Sequence, residues 1–320
     1  MLIRGTCLVD LNRGTTVPYA PYGSYVVEWS ADMRVNAYVS PVDYVIYSHA
    51  WGERTARPLT ERDGARTFAP ALSPDGTQVA YALSPENTNS AQLHVVNRDG
   101  SDDRLLTTLD MTTARFSGRL SWSPDARYIV YFTSEPSNLS GTFSPVLHLL
   151  ETATGEVRPV GTVVAPVVDW SPDGAWLAYM PPNADTIEIV EATTGNAPQR
   201  IRDFNEAAGH NIIGDFISRP TFSPDSERLL FIDRNLTDNT TLVRVRDLTT
   251  GDITTLTTLD DAETRFEDVL WQPDGILLVE DLQASSYLDH ILFHHVDPVT
   301  GARTQAGTLI SEDYIRMVVW

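Results

Sequence analysis

One short motif recurs along the whole chain and limits the folds open to it. An aromatic residue or Leu is followed by Ser-Pro-Asp-Gly or a near relative, and then by an apolar alternating run. The copies are Trp29-Ser30-Ala31-Asp32, Leu72-Ser73-Pro74-Asp75-Gly76, Trp122-Ser123-Pro124-Asp125, Trp170-Ser171-Pro172-Asp173-Gly174, Phe222-Ser223-Pro224-Asp225 and Trp271-Gln272-Pro273-Asp274-Gly275. Arg316-Met317-Val318-Val319-Trp320 reads as a seventh copy cut at its anchor. Successive anchors stand 43, 50, 48, 52, 49 and 49 residues apart, a period that belongs to a repeat architecture.

The motif is turn chemistry. Pro fixes φ, Asp bonds to nearby backbone, and Gly accepts positive φ. It joins a short apolar strand, such as Ala165–Trp170, to a β-rich one, such as Tyr128–Phe132 or Arg228–Ile232. A second hairpin signal follows in each copy, centred on Gly14, Gly52, Gly100, Gly155, Gly195, Gly251 and Gly301. Four strands in every ~40–50 residues is the content of a propeller blade. The expected fold is therefore an all-β propeller of four-stranded antiparallel blades (A to D from the axis outward), seven in number, with six as the alternative. The N-terminal C–D pair (about 1–20) and the C-terminal A strand (about 314–320) would share the closing blade. That blade shows no B strand, so a single domain over 1–320, cut ~15–30 residues short at its C-terminus, is expected.

These anchors, with following strands such as Trp176-Leu177-Ala178-Tyr179, resemble the TolB-type, WD-repeat-like propeller repeat over essentially the whole chain. The copies depart from it at Ala31, Gln272, Ala126 and Ser226. The resemblance implies an interaction scaffold, often of the bacterial cell envelope. Similar repeats form the gating propeller of prolyl oligopeptidase-like enzymes, but no Gly-x-Ser-x-Gly nucleophile elbow is present.

Composition narrows the partners. The 320 residues carry a net charge of −20, and all basic residues are arginine. Such a balance argues against nucleic-acid backbones and anionic membrane surfaces. No apolar run reaches the ~18 residues of a membrane span. The sequence opens without the basic and apolar segments of a signal peptide, so a periplasmic or envelope location rests on the resemblance alone. Cys7 is the single cysteine, which excludes an intrachain disulfide and reads as a strand residue.

Chemistry-bearing residues are sparse. His290, His294 and His295 cluster, but on a strand 295 points away from 290 and 294, and no carboxylate of clear role stands nearby in sequence. Asn97–Asp103 looks faintly like a calcium loop yet lacks its later Glu. No metal or cofactor is expected. The anchors Trp29, Leu72, Trp122, Trp170, Phe222, Trp271 and Trp320 read as inter-blade core.

Function is expected on the face that carries the irregular B–C and D–A loops (84–90, 134–142, 203–210 and 234–240). The D–A loops would deliver Arg66, Arg115, Arg119, Arg219, Arg265, Glu267, Asp268 and Arg316 to the mouth of the central channel just before the A strands, with Arg66-Thr67-Phe68, Arg115-Phe116 and Arg265-Phe266 sharing a pattern. Arginines gathered there suit carboxylates or phosphates. The expectation is a monomeric, non-catalytic propeller that binds a protein or peptide on this face. The alternatives are a lyase or hydrolase acting on an anionic saccharide, and the propeller domain of a larger envelope sensor or peptidase.

Overall fold

The computed structural model describes residues 7–10, 15–18, 25–30, 34–50, 53–61, 65–136, 143–163, 166–182, 187–193, 199–201, 210–211, 220–235, 240–260, 264–272, 274–282 and 289–311. These residues are all-β, in successive antiparallel sheets of the propeller type. Two compact units divide the chain, residues 20–166 on the one hand and 1–19 with 167–320 on the other.

The first unit holds three four-stranded sheets, each a meander in chain order. They are β3–β6 (Tyr25–Trp29, Val35–Val39, Ile46–Ala50, Arg57–Pro58), β7–β10 (Arg66–Leu72, Gln78–Ser84, Ser90–Asn97, Arg104–Asp110) and β11–β14 (Arg115–Trp122, Tyr128–Pro136, Phe143–Glu151, Val157–Thr162).

In the second unit, β1 and β2 (Cys7–Asp10, Thr15–Pro18) form a two-stranded hairpin, the expected opening pair. Sheet β15–β18 comprises Val168–Trp170, Trp176–Tyr179, Ile187–Glu191 and Gln199–Ile201. Next come β19 (His210–Asn211), β20 (Thr221–Phe222), β21 (Arg228–Asn235), β22 (Thr240–Asp247) and β23 (Ile253–Asp260), with both β19 and β20 paired to β21. Sheet β24–β27 comprises Thr264–Gln272, Gly275–Leu282, Asp289–Val296 and Arg303–Ser311. The segment expected to carry the seventh anchor, Trp320, lies outside the described residues.

The turn motif folds as its chemistry requires. Ser123, fully buried, donates its hydroxyl to Asp125 Oδ1 at 2.6 Å and accepts the Tyr128 N–H at 2.9 Å, while Asp125 Oδ1 accepts the Arg127 N–H. Ser73/Asp75, Ser171/Asp173 and Ser223/Asp225 repeat the arrangement. Each Ser thereby satisfies a backbone donor that the tight turn would otherwise strand inside the core. Asp75 and Asp225 lie below the ordinary carboxylate range, held there first by the serine hydroxyl.

A second repeat joins the B and C strands. Nine residues beyond the anchor (seven in the last sheet, whose turn is two shorter), register pairs Tyr38 with Tyr47, Tyr81 with His94, Tyr131 with His148, Tyr179 with Glu188, Phe231 with Arg244 and Leu278 with His294. The first three pairs are stacked rings, and the Tyr179 hydroxyl donates to Glu188 at 2.6 Å. Where the tyrosine becomes Phe231 or Leu278, a carboxylate two residues on supplies the polar partner. Asp233 pairs with Arg244 at 2.7 Å, and Glu280 pairs with His294 at 2.7 Å and with Arg303. Asp233 and Glu280 are buried, so these pairs satisfy charge inside the sheet.

Five of the anchor side chains are described. Leu72, Trp122, Trp170 and Phe222 are buried and Trp271 packs on the core. The side chains of Trp29 and Trp320 lie outside the described residues.

Candidate functional site

Arg66 and Arg115 occupy matching positions. Each opens its A strand and pairs in register with a serine that follows the B strand's apolar run, Ser84 and Ser134 respectively. Each strand then breaks register, between Phe68 and Ala71 in β7 and between Ser117 and Ser121 in β11. Such a bulge re-aims the side chains beside it. In β7 it is built on Ala69, buried and left-handed with φ of +51°.

Both arginines are exposed and line one cleft of about 1120 Å³. Phe68 and Phe116 meet edge to face within it, with ring centroids 5.2 Å apart, and Phe116 stacks in turn on Tyr131. Val39 and Met111 add apolar surface. Around them stand hydroxyls and an amide from the 84–90 and 111–114 loops: Ser84, Thr88, Asn89, Ser90, Thr112 and Thr113. The cleft thus combines two guanidinium groups, an aromatic floor and a hydrogen-bonding rim. It can hold an anion whose body is partly apolar.

Tyr44 also lines the cleft, and no feature of the sequence singles it out. It sits in the β4–β5 loop with φ of +57°, and its ring lies 4.7 Å beneath the Arg66 guanidinium. The buried Thr67 hydroxyl donates to the Tyr44 carbonyl.

Of the other expected site residues, Arg119 alone has a described side chain. Arg119 pairs with Glu28 at 3.3 Å and is absent from its lining. Arg265, Glu267 and Asp268 lie on β24, which breaks register between Phe266 and Asp268 as β3, β7 and β11 do at their own positions, but their side chains are outside the described residues. Arg219 and Arg316 are outside them altogether, as are 137–142, 203–209 and 236–239 of the expected loops.

One minor reading changes. His294 does have a carboxylate beside it, because register brings Glu280 on β25 to within 2.7 Å of its Nδ1. That carboxylate also takes Arg303, which makes the group an ion-pair cluster. Residues 97–103 form the hairpin turn between β9 and β10 with Gly100 at φ of +82°, and Asp103 at its end accepts the Tyr81 hydroxyl at 2.6 Å and faces His94 Nδ1 at 3.1 Å. Among the described residues no three His, Cys, Asp or Glu side chains gather closely enough to share a metal ion.

No protein-family model and no curated protein matches this sequence. Solved structures do match. A puromycin-hydrolyzing peptidase from Mycobacterium tuberculosis superposes with a TM-score of 0.60 at 17% identity, over 94% of this chain and 50% of its own. An oligogalacturonate lyase from Vibrio parahaemolyticus gives 0.57 at 14% identity, over 95% and 96% of the two chains. TolB from Acinetobacter baumannii gives 0.47 at 18% identity, over 86% of this chain and 65% of its own. The expectation that this chain is not an enzyme is corrected by these likenesses. A lyase and a peptidase share its fold, so a repeat that specifies the fold supplies no ground for excluding catalysis.

Proposed function

We propose that the cleft between the B–C and D–A loops of β3–β14 binds an anionic ligand with an apolar body, and that this ligand is an acidic peptide segment of a protein partner. The single observation carrying the reading is that Arg66 and Arg115, at matching strand openings, flank the Phe68–Phe116 pair in one cleft. A net charge of −20 repels anions at long range, so the attraction has to come from local guanidinium groups. The volume slightly exceeds the ~300–1,000 Å³ usual for small ligands and suits several peptide residues.

The test is calorimetric titration with a peptide of alternating Glu and Phe, beside its Lys-for-Glu counterpart. Binding of the Glu peptide alone is expected, weakened about tenfold or more in Arg66→Gln/Arg115→Gln. Equal binding of both peptides, or an unchanged affinity in the double variant, overturns the reading.

A second reading is catalysis on an anionic saccharide. It is favoured by the end-to-end likeness to an oligogalacturonate lyase and by the hydroxyl-rich rim. Incubation with oligogalacturonate, followed by the ultraviolet absorbance of an unsaturated product, tests it. Absence of any cleavage sets it aside.

A further inference from the structure

Tyr44 occupies a position that its backbone disfavours. A bulky residue at φ of +57° is uncommon, since Cβ crowds the following carbonyl there. The corresponding loop of the next sheet, between β8 and β9, places Asn87 at φ of +58°, and Asn tolerates that conformation well. Strain of this kind persists where surrounding structure holds it and where it serves a site.

The surroundings do hold it. The Tyr44 N–H donates to the Ser40 carbonyl at 3.0 Å, and its carbonyl accepts the hydroxyl of Thr67. Thr67 is buried and directly follows Arg66. The loop before β5 is therefore tied to the start of β7 at the residue beside the arginine. The tie sets the Tyr44 ring beneath the guanidinium at 4.7 Å, within reach of a cation–π contact.

We infer that Tyr44, clamped by Thr67, is a positioning residue that fixes the Arg66 guanidinium in the cleft for an incoming carboxylate. The inference rests on the binding reading above and deepens it. A long arginine side chain loses rotamer freedom when it binds, and a ring that orders it beforehand lowers that cost. The ring face supplies the contact, so the tyrosine hydroxyl is dispensable.

The experiment has two parts. Affinity for the Glu/Phe peptide is measured in Tyr44→Phe, Tyr44→Asn and Thr67→Val, each with and without Arg66→Gln. Tyr44→Phe should match the wild type. Tyr44→Asn should weaken binding about two- to fivefold, Thr67→Val by less, and neither should add to the loss already present in Arg66→Gln. A loss in Tyr44→Phe, or an equal loss from Tyr44→Asn in the Arg66→Gln background, overturns positioning and makes Tyr44 a direct contact.

The second part needs no ligand. Phenylglyoxal labelling of Arg66 is followed by mass spectrometry. Arg66 should react faster in Tyr44→Asn than in the wild type or Tyr44→Phe, and an equal rate in all three overturns the inference. If labelling changes as expected while no peptide binds, the binding reading alone has failed.

Discussion

Trp122 donates its indole N–H to the carbonyl of Ala71 at 3.0 Å, linking the anchor of one sheet to the residue just before the anchor of the preceding sheet. Trp271 repeats the link with Thr221 at 3.1 Å in the other unit. The anchor thus fills the space between neighbouring sheets and also bonds them. Trp122 belongs to one buried core cluster with Leu93, Leu120, Ile129 and Tyr131. Trp122→Ala should cost about 3–5 kcal/mol through the cavity it leaves. Trp122→Phe keeps much of the packing and loses the bond to Ala71, for about 1–2 kcal/mol. Urea denaturation monitored by circular dichroism checks both, and equal losses would mean that the hydrogen bond contributes most of the effect.

Ala126 and Ser226 stand where sister turns carry Gly76 and Gly174, and the backbone has not changed to suit them. Their φ values are +58° and +61°, against +68° and +73° for the glycines. A Cβ in that region costs about 1–2 kcal/mol, and glycine gives back ~0.5–1 of it as unfolded-state entropy. Ala126→Gly should therefore raise stability by roughly 0.5–1 kcal/mol. Ser226→Gly should gain less, since Ser226 Oγ accepts the Asp173 N–H at 3.1 Å. Thermal melts of the two single variants order the effects, and a gain in Ser226→Gly matching that of Ala126→Gly would dismiss the Asp173 bond.

The turns and anchors were legible in the sequence because their chemistry is local. Ser123 reaches Asp125 and Tyr128 within five residues, and a period of about 50 residues displays the same solution repeatedly. The arginines of the cleft were legible for the same reason, as part of a repeated Arg-Phe pattern. Tyr44 was not. Its significance arises from a left-handed φ and from a contact to Arg66, 22 residues away in another sheet, and neither leaves a mark in composition or spacing. The bulge at Ala69 was equally hidden, because an alanine in a strand predicts ordinary pairing. The B–C pairing could have been found. Tyr38, Tyr81, Tyr131 and Tyr179 recur nine residues after their anchors, and counting to the partner strand would have placed His94, His148 and Glu188 opposite three of them.

Gly155, in the β13–β14 hairpin, has φ of +75°, and a Cβ there would overlap the Leu106 carbonyl of β10. The hairpin of one sheet thus lies directly on the outer strand of the sheet before it. Gly155→Ala should cost about 2–4 kcal/mol, from left-handed strain and overpacking together. At Gly100, with φ of +82°, the added Cβ would keep 3.6 Å from the Pro58 carbonyl. Gly100→Ala should therefore show the strain alone, about 1–2 kcal/mol. A comparison of urea midpoints tests the difference, and equal costs would remove close approach as the reason for glycine at 155.

Asp103 should give the chain part of its acid sensitivity. Burial pushes its carboxyl upward, but hydrogen bonds from His94 and Tyr81, with the charge of His94, outweigh burial and hold it below its ordinary 3.8. With the folded-state pKa below the unfolded one, the stabilisation is complete above about pH 3.8. It is lost as pH falls through the folded value, because the unfolded chain binds the proton first. Acidification also discharges a chain of net charge −20 and relieves self-repulsion, so the wild-type profile by itself mixes two trends. Asp103→Asn separates them, since it shares nearly all of that background while removing the titrating group. Melting temperatures of the two proteins should differ most at pH 6–7, where wild type is the more stable. The gap should narrow as pH drops below about 4. A gap that stays constant across that range would show that the Tyr81–Asp103–His94 group holds the β8–β10 sheet by packing alone.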